Sequence, residues 1–152
     1  MQTLEKIPPV ALVIIAGFLM WVGGLYFPAL SFQFPFRPVV AWVIGLSGVA
    51  ASALGVIQFR RAKTTVNPTK PGAASSLVRT GIYARTRNPM YVGFLLILTG
   101  WAFAVANFAS FLILPAFVVY MNRFQIKPEE RALASIFGDD FNAYCSEAPR
   151  WI

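Results

Sequence analysis

The sequence predicts an all-α membrane protein: four transmembrane helices, the last two forming a hairpin, plus a short C-terminal cytosolic helical cap. Three observations predict it. Of the 152 residues, 57% are hydrophobic and only 12% charged, about half the charged share of a soluble domain. Three stretches carry no Lys, Arg, Asp or Glu: Val10–Phe36, Pro38–Phe59 and Pro89–Asn122. Basic side chains gather instead between the second and third stretches, at Arg60, Arg61, Lys63, Lys70, Arg79, Arg85 and Arg87, with no acidic residue among them.

A helix needs about 20 apolar residues to cross ~30 Å of hydrocarbon. The first two stretches each fit one span, Pro9–Tyr26 and Pro38–Gln58. A signal-peptide reading of the first is disfavoured: its apolar run is long, no small-residue cleavage site follows, and Glu5 offsets the lone basic Lys6. The third stretch as one straight helix would be ~50 Å long, too long for one crossing. It reads as a hairpin of Pro89–Ala106, a turn near Asn107, and Phe108–Phe124, with a bend expected at Pro115. Beyond it, Pro128–Phe137 and Asp140–Glu147 read as short amphipathic helices. Leu133, Ile136 and Phe137 give the first an apolar stripe, and Gly138 its stop. The chain thus divides into residues 1–59, two N-terminal spans, and residues 60–152, a cytosolic loop, hairpin and cap.

Positive loops remain cytoplasmic, so the basic segment and, with four spans, both termini are expected on that side. Asn67-Pro68 and Lys70-Pro71-Gly72 mark turns within it. The net charge of +7 is accounted for by this topology and by anionic lipid heads, so no nucleic-acid partner is expected. One cysteine, Cys145, and no histidine remove intrachain disulfides, His–Cys metal sites and histidine acid–base chemistry together.

Two segments stand out from membrane filler. In Arg87-Asn88-Pro89, Asn88 suits an N-cap and Pro89 the first helical turn. Arg87 and Tyr91 then share a face one turn apart, and an Arg beside a helix N-terminus makes an anion clamp. In Lys127-Pro128-Glu129-Glu130, the two acidic residues suit a first helical turn. If the hairpin forms, they also lie on the same membrane side as Arg87, leaving room for an amine-bearing or cationic ligand between them.

Together, Gly81-x-Tyr83, Arg87-Asn88-Pro89-x-Tyr91-x-Gly93, the apolar hairpin, Glu129-Glu130-x-x-Leu133, Phe137-Gly138 and Tyr144 resemble the isoprenylcysteine carboxyl methyltransferases and the phospholipid N-methyltransferases. The resemblance covers about residues 60–152. It implies an integral-membrane enzyme using S-adenosylmethionine (SAM), with the lipid or other hydrophobic substrate entering from the bilayer. By carry-over, Arg87, Asn88, Pro89, Tyr91, Gly93, Glu129 and Glu130 would line the cofactor site, supported by Tyr83 and Tyr144. Two positions depart from the pattern: Asn88 replaces a common histidine, and Phe141 a frequent tyrosine. Methyl transfer from a sulfonium needs alignment and desolvation rather than a metal. Arg85 and Arg123 are candidates to orient a carboxylate acceptor, and Glu130 to take a proton from an amine acceptor. The alternatives are an NADPH-dependent membrane reductase, a class carrying a similar Arg-His-Pro-like block, and a non-catalytic membrane scaffold or partner subunit.

Overall fold

Proline decides where the three long N-terminal helices begin. Its fixed φ and missing N–H suit a first helical turn, and each of α1 (Pro9–Tyr26), α2 (Arg37–Arg61) and α3 (Pro89–Val105) carries one there. The computed structural model describes residues 7–62 and 76–152. The turn signals at Asn67-Pro68 and Lys70-Pro71-Gly72, with Lys63, lie outside the described residues, as do Glu5 and Lys6. Among the described residues every regular element is helical, apart from one isolated bridge between Ser31 and Asn107.

The expected hairpin forms at the expected place. Ala106 ends α3 with φ of 56°, and Asn107 caps the next helix, its Oδ1 accepting from the Ala109 N–H at 2.9 Å. The Asn107 amide also donates to the Phe27 carbonyl at 2.7 Å. This buried residue thereby ties the α1–α2 connection to the hairpin turn.

The returning arm comprises α4 (Phe108–Phe111), α5 (Ile113–Tyr120), a π-helical turn (Met121–Ile126) and α6 (Lys127–Phe137). It differs from the expectation of a span ending near Phe124 and a separate cap helix. Residues Phe108–Phe137 run as one helix of 30 residues. Pro128 lacks the N–H that would bond the Phe124 carbonyl, and the π-helical turn lies over that gap, so the chain continues instead of stopping. The interruption at Leu112, three residues before Pro115, fits the bend expected from that proline. The cap is therefore α7 alone (Asp139–Glu147), after a stop at Gly138, whose φ of 50° favours glycine. Ile136, expected in the apolar stripe, is exposed; Leu133 and Phe137 are the members that pack inward.

Among the described residues, three helices are long and apolar enough to cross a membrane: α1, α2 and Phe108–Phe137. The apolar α3 has 17 residues, or about 26 Å. It lies at the centre. A Cβ on Gly48 of α2 would stand 2.6 Å from the Gly93 carbonyl oxygen of α3, and one on Gly100 of α3 2.7 Å from that of Ala41. Only glycine allows so close an approach. The other faces of α3 meet α1 and α5, where Met20, Leu98, Ala102, Phe117, Met121 and Ile126 form one buried cluster. By contrast Ile14, Phe18, Val39, Trp42 and Val43 point outward, as lipid-facing residues do. A second cluster, Val78, Tyr83, Phe141, Tyr144 and Ala148, binds α7 to the segment before α3.

Candidate functional site

Arg87 lies two residues before α3, where the chain emerges from a 3-10 turn at Gly81–Ala84. Its backbone N–H donates to the Pro149 carbonyl at 2.9 Å. Its guanidinium points at the end of α7, where one terminal nitrogen donates to the carbonyls of Cys145 and Ala148, both at 2.9 Å. A cation at a helix C-terminus satisfies orphan carbonyls and the macrodipole together. The other terminal nitrogen pairs with Glu130 Oε1 at 3.0 Å. With Arg87 and Glu130 side chains only 12% and 18% exposed, water screens this pair weakly.

Glu130 is shared. Arg150 grips it with two parallel bonds, Nε to Oε1 at 3.0 Å and a terminal nitrogen to Oε2 at 2.7 Å, the bidentate geometry that Arg favours. One turn into α3, the Tyr91 hydroxyl donates to Glu129 Oε1 at 2.7 Å. Both glutamates thus face the start of α3 across the hairpin. A single unbroken helix would have separated them from Arg87 by the membrane thickness.

Sequence logic placed a ligand between Arg87 and the glutamates; the structure joins Arg87 and Glu130 directly. Glu130, the residue expected to take a proton from an amine acceptor, is held by two guanidiniums, and against burial, which raises it, their bonds keep its carboxyl below the ordinary value. Asn88 stands at the N-cap position, yet its side chain makes no capping bond; its amide donates to the Arg150 carbonyl at 2.9 Å. Pro89 and Gly93 are buried against α2, beside Gly55 and Ser52 respectively, and there they set helix spacing. Tyr83 and Tyr144 are joined, the Tyr144 hydroxyl donating to the Tyr83 carbonyl at 2.7 Å. Burial raises both phenols above their ordinary value, so they remain neutral. Phe141 fills the same cluster. Arg85 and Arg123 stand outside this cluster: both are exposed, and Arg123 lies over the Phe124 ring at 5.6 Å.

The C-terminal segment was missed from sequence. Beyond Arg150, the Trp151 ring N–H donates to Asn122 Oδ1 at 3.0 Å, and the Thr86 hydroxyl contacts the Arg150 carbonyl at 3.4 Å. Only the presence of two adjacent carboxylates beside one expected cation hinted at a further basic partner.

One atom is left over. Arg87 Nε is the buried side-chain polar atom without a hydrogen-bond partner among the described residues. A buried, unmet donor is costly in a finished structure and marks a place for an acceptor. The site therefore offers an unmet cationic donor beside two carboxylates, a donor set that fits a ligand carrying both a carboxylate and an ammonium group. Among the described residues no group of three or more Asp, Glu or Cys is arranged to hold a metal.

Comparison with known proteins gives two kinds of match. The phospholipid methyltransferase family profile matches residues 36–140, reaching from α2 through the hairpin and both glutamates into the start of α7. Protein-S-isoprenylcysteine O-methyltransferase of Schizosaccharomyces pombe is 28% identical over 133 residues, which is 86% of this chain. The aligned region spans 56% of that protein's length. An uncharacterized protein of Haemophilus influenzae is 38% identical over 63 residues, 41% of this chain and all of that protein. No solved structure matches.

Proposed function

Because the chain belongs to the phospholipid methyltransferase family, we propose that it is an integral-membrane, SAM-dependent methyltransferase whose acceptor is a lipidic or membrane-partitioned small molecule. The observation that carries this reading is the unmet Arg87 Nε beside the Glu129–Glu130 pair. In it, Arg87 takes the amino-acid carboxylate of the cofactor and Glu129 its ammonium group. Tyr91 holds the Glu129 carboxylate in place, and the Glu130–Arg150 clamp holds Arg87.

Held there by Arg87 and Glu129, the cofactor would supply an electrophilic methyl group to the acceptor. The protein's part is to hold the donor end, exclude water and admit the acceptor from the bilayer. An acceptor that is already an anion, such as a carboxylate, needs no base. That suits a site where Glu130 is spoken for by two arginines and histidine is absent from the sequence. The family's name and the fission-yeast protein's name both point to acceptors carrying a lipid, which supports a hydrophobic substrate. The reading includes four crossings, with α3 as the third, and a cytoplasmic site; the basic run around Arg60, Arg61, Arg79 and Arg85 supports that orientation.

Thermal unfolding of the detergent-purified protein tests the proposal. SAM or its demethylated product should raise the midpoint, and NADPH should not. Glu129→Gln should weaken SAM binding at least tenfold, about 1.4 kcal/mol, with the unliganded midpoint within a few degrees of wild type. A midpoint moved by NADPH alone would transfer the reading to a reductase; no response to SAM or its product in a folded sample would remove it.

A further inference from the structure

A cleft lies on the opposite half of the molecule from Arg87. Helices α1 and α2 both pack on α3 and leave between them a space of about 630 Å³, within the range of small-molecule sites. Its floor is α3, through Ile97, Leu98, Trp101 and Ala104; its walls include Gly17 of α1 and Trp42 and Gly45 of α2. The one polar group that α3 presents there is already met, since the Trp101 ring N–H donates to the Gly17 carbonyl at 2.9 Å. Glycine keeps the cleft open: a Cβ on Gly45 would have nothing within 4 Å.

One charged residue lines this apolar space, Arg37, at the start of α2. It lies by the hairpin turn, where the Phe32 N–H donates to the Ala106 carbonyl at 3.0 Å and Phe34 packs 6.0 Å from Phe103. The described acidic residues, Glu129, Glu130, Asp139, Asp140 and Glu147, all follow α5 and lie toward the other end of α3. Both salt bridges among the described residues are at that far end. Arg37 is thus a half-buried cation at a membrane-facing helix end, with an apolar trough running from it toward the bilayer centre.

We propose that this cleft binds an anionic phospholipid from the leaflet on the Arg37 side, an acyl chain in the trough and the phosphate on the Arg37 guanidinium. Arg matches phosphate geometry bidentately, and its stem lies along apolar surface while its head reaches the interface. A basic pocket between helices is the form such headgroup sites take. A second copy of the chain is a poorer occupant: its three charge-free stretches bring no carboxylate to meet Arg37. The site is separate from the Arg87–Glu130 cluster and does not depend on the methyl-transfer reading.

Native mass spectrometry and thermal unfolding in a neutral detergent test it, using phosphatidylglycerol and phosphatidylcholine with identical acyl chains. Phosphatidylglycerol should be retained at least tenfold better and should raise the midpoint further. Arg37→Gln should reduce its retention to the phosphatidylcholine level. Gly45→Leu should abolish retention of both lipids, while circular dichroism shows helix content unchanged. Equal retention of the two lipids by the wild type, or an undiminished preference in Arg37→Gln, overturns the headgroup assignment. Full retention in Gly45→Leu overturns the cleft as the site. A wild-type dimer that holds no lipid and that Gly45→Leu makes monomeric overturns the lipid in favour of a second copy.

Discussion

At the scale of single residues, the site is organised around guanidinium groups that do different work. Arg87 caps the carbonyls at the end of α7, pairs with Glu130 and still has an unmet donor; Arg150, 35% exposed, braces the same carboxylate from outside. Removing one partner of a buried pair leaves the other charge uncompensated, whereas an exposed partner is replaced by water. Arg87→Ala is therefore expected to lose about 3 kcal/mol and Arg150→Ala about 1 kcal/mol, measured by denaturant or thermal unfolding. The double variant should lose more than their sum, because each arginine alone still pairs Glu130 and only the double loss leaves that carboxylate without a cation. Tyr144→Phe removes the bond to the buried Tyr83 carbonyl and should lose about 1–2 kcal/mol. The phenols at Tyr83 and Tyr144 also give a pH dependence. Burial raises their folded pKa values above the ordinary 10.0, so the unfolded chain releases its protons first. Their contribution to stability is complete below about pH 10 and falls as pH rises toward the raised folded values; an unfolding series above pH 10 should show a slope that Tyr144→Phe lessens.

At the scale of elements, the α2–α3 contact fixes where Arg87 and Tyr91 are presented. Gly93 is central to it, with the Gly48 carbonyl and Ser52 of α2 directly against it. Gly93→Ala forces these backbones apart and should lower stability by about 1–3 kcal/mol. Because Tyr91 is two residues away on α3, SAM affinity should fall with it, measured by the cofactor's thermal shift. Residue type alone does not separate these roles, since Gly93 belongs to the same motif as the charged residues yet touches a helix instead. The returning arm makes the complementary point. A proline and two glutamates read as the start of a new helix; a π-helical turn just ahead of that proline lets one helix carry the glutamates directly from α5.

At the scale of the whole molecule, the apolar surface is turned outward and the polar network is gathered at one end. With four crossings, cysteines introduced at Arg79 and at Phe108, in a Cys145→Ser background, should label from opposite sides. A membrane-impermeant thiol reagent added to intact cells should reach the Phe108 position and leave the Arg79 position unlabelled until the membrane is opened. Labelling of both from outside would remove the assigned orientation. A lipid at Arg37 and methyl transfer near Arg87 would then occupy opposite leaflets, which separates the two sites physically.

What the sequence by itself determined was what short-range chemistry writes locally. Charge-free runs define apolar helices because charges are costly in hydrocarbon. Prolines mark their starts, Asn107 and Gly138 their turns, and α1 lies where the hydropathy places it. The motif order also pointed to the family that the comparison then found. Tertiary structure decided the rest, because pairing across the hairpin depends on distances that spacing cannot encode. It gave Glu130 two arginines, turned Asn88 from a helix cap into a brace for the C-terminal segment, and left Arg85 and Arg123 outside the cluster. Arg150 carries no local signal at all; it lies 20 residues from Glu130 and meets it only because α7 folds back onto the start of α3.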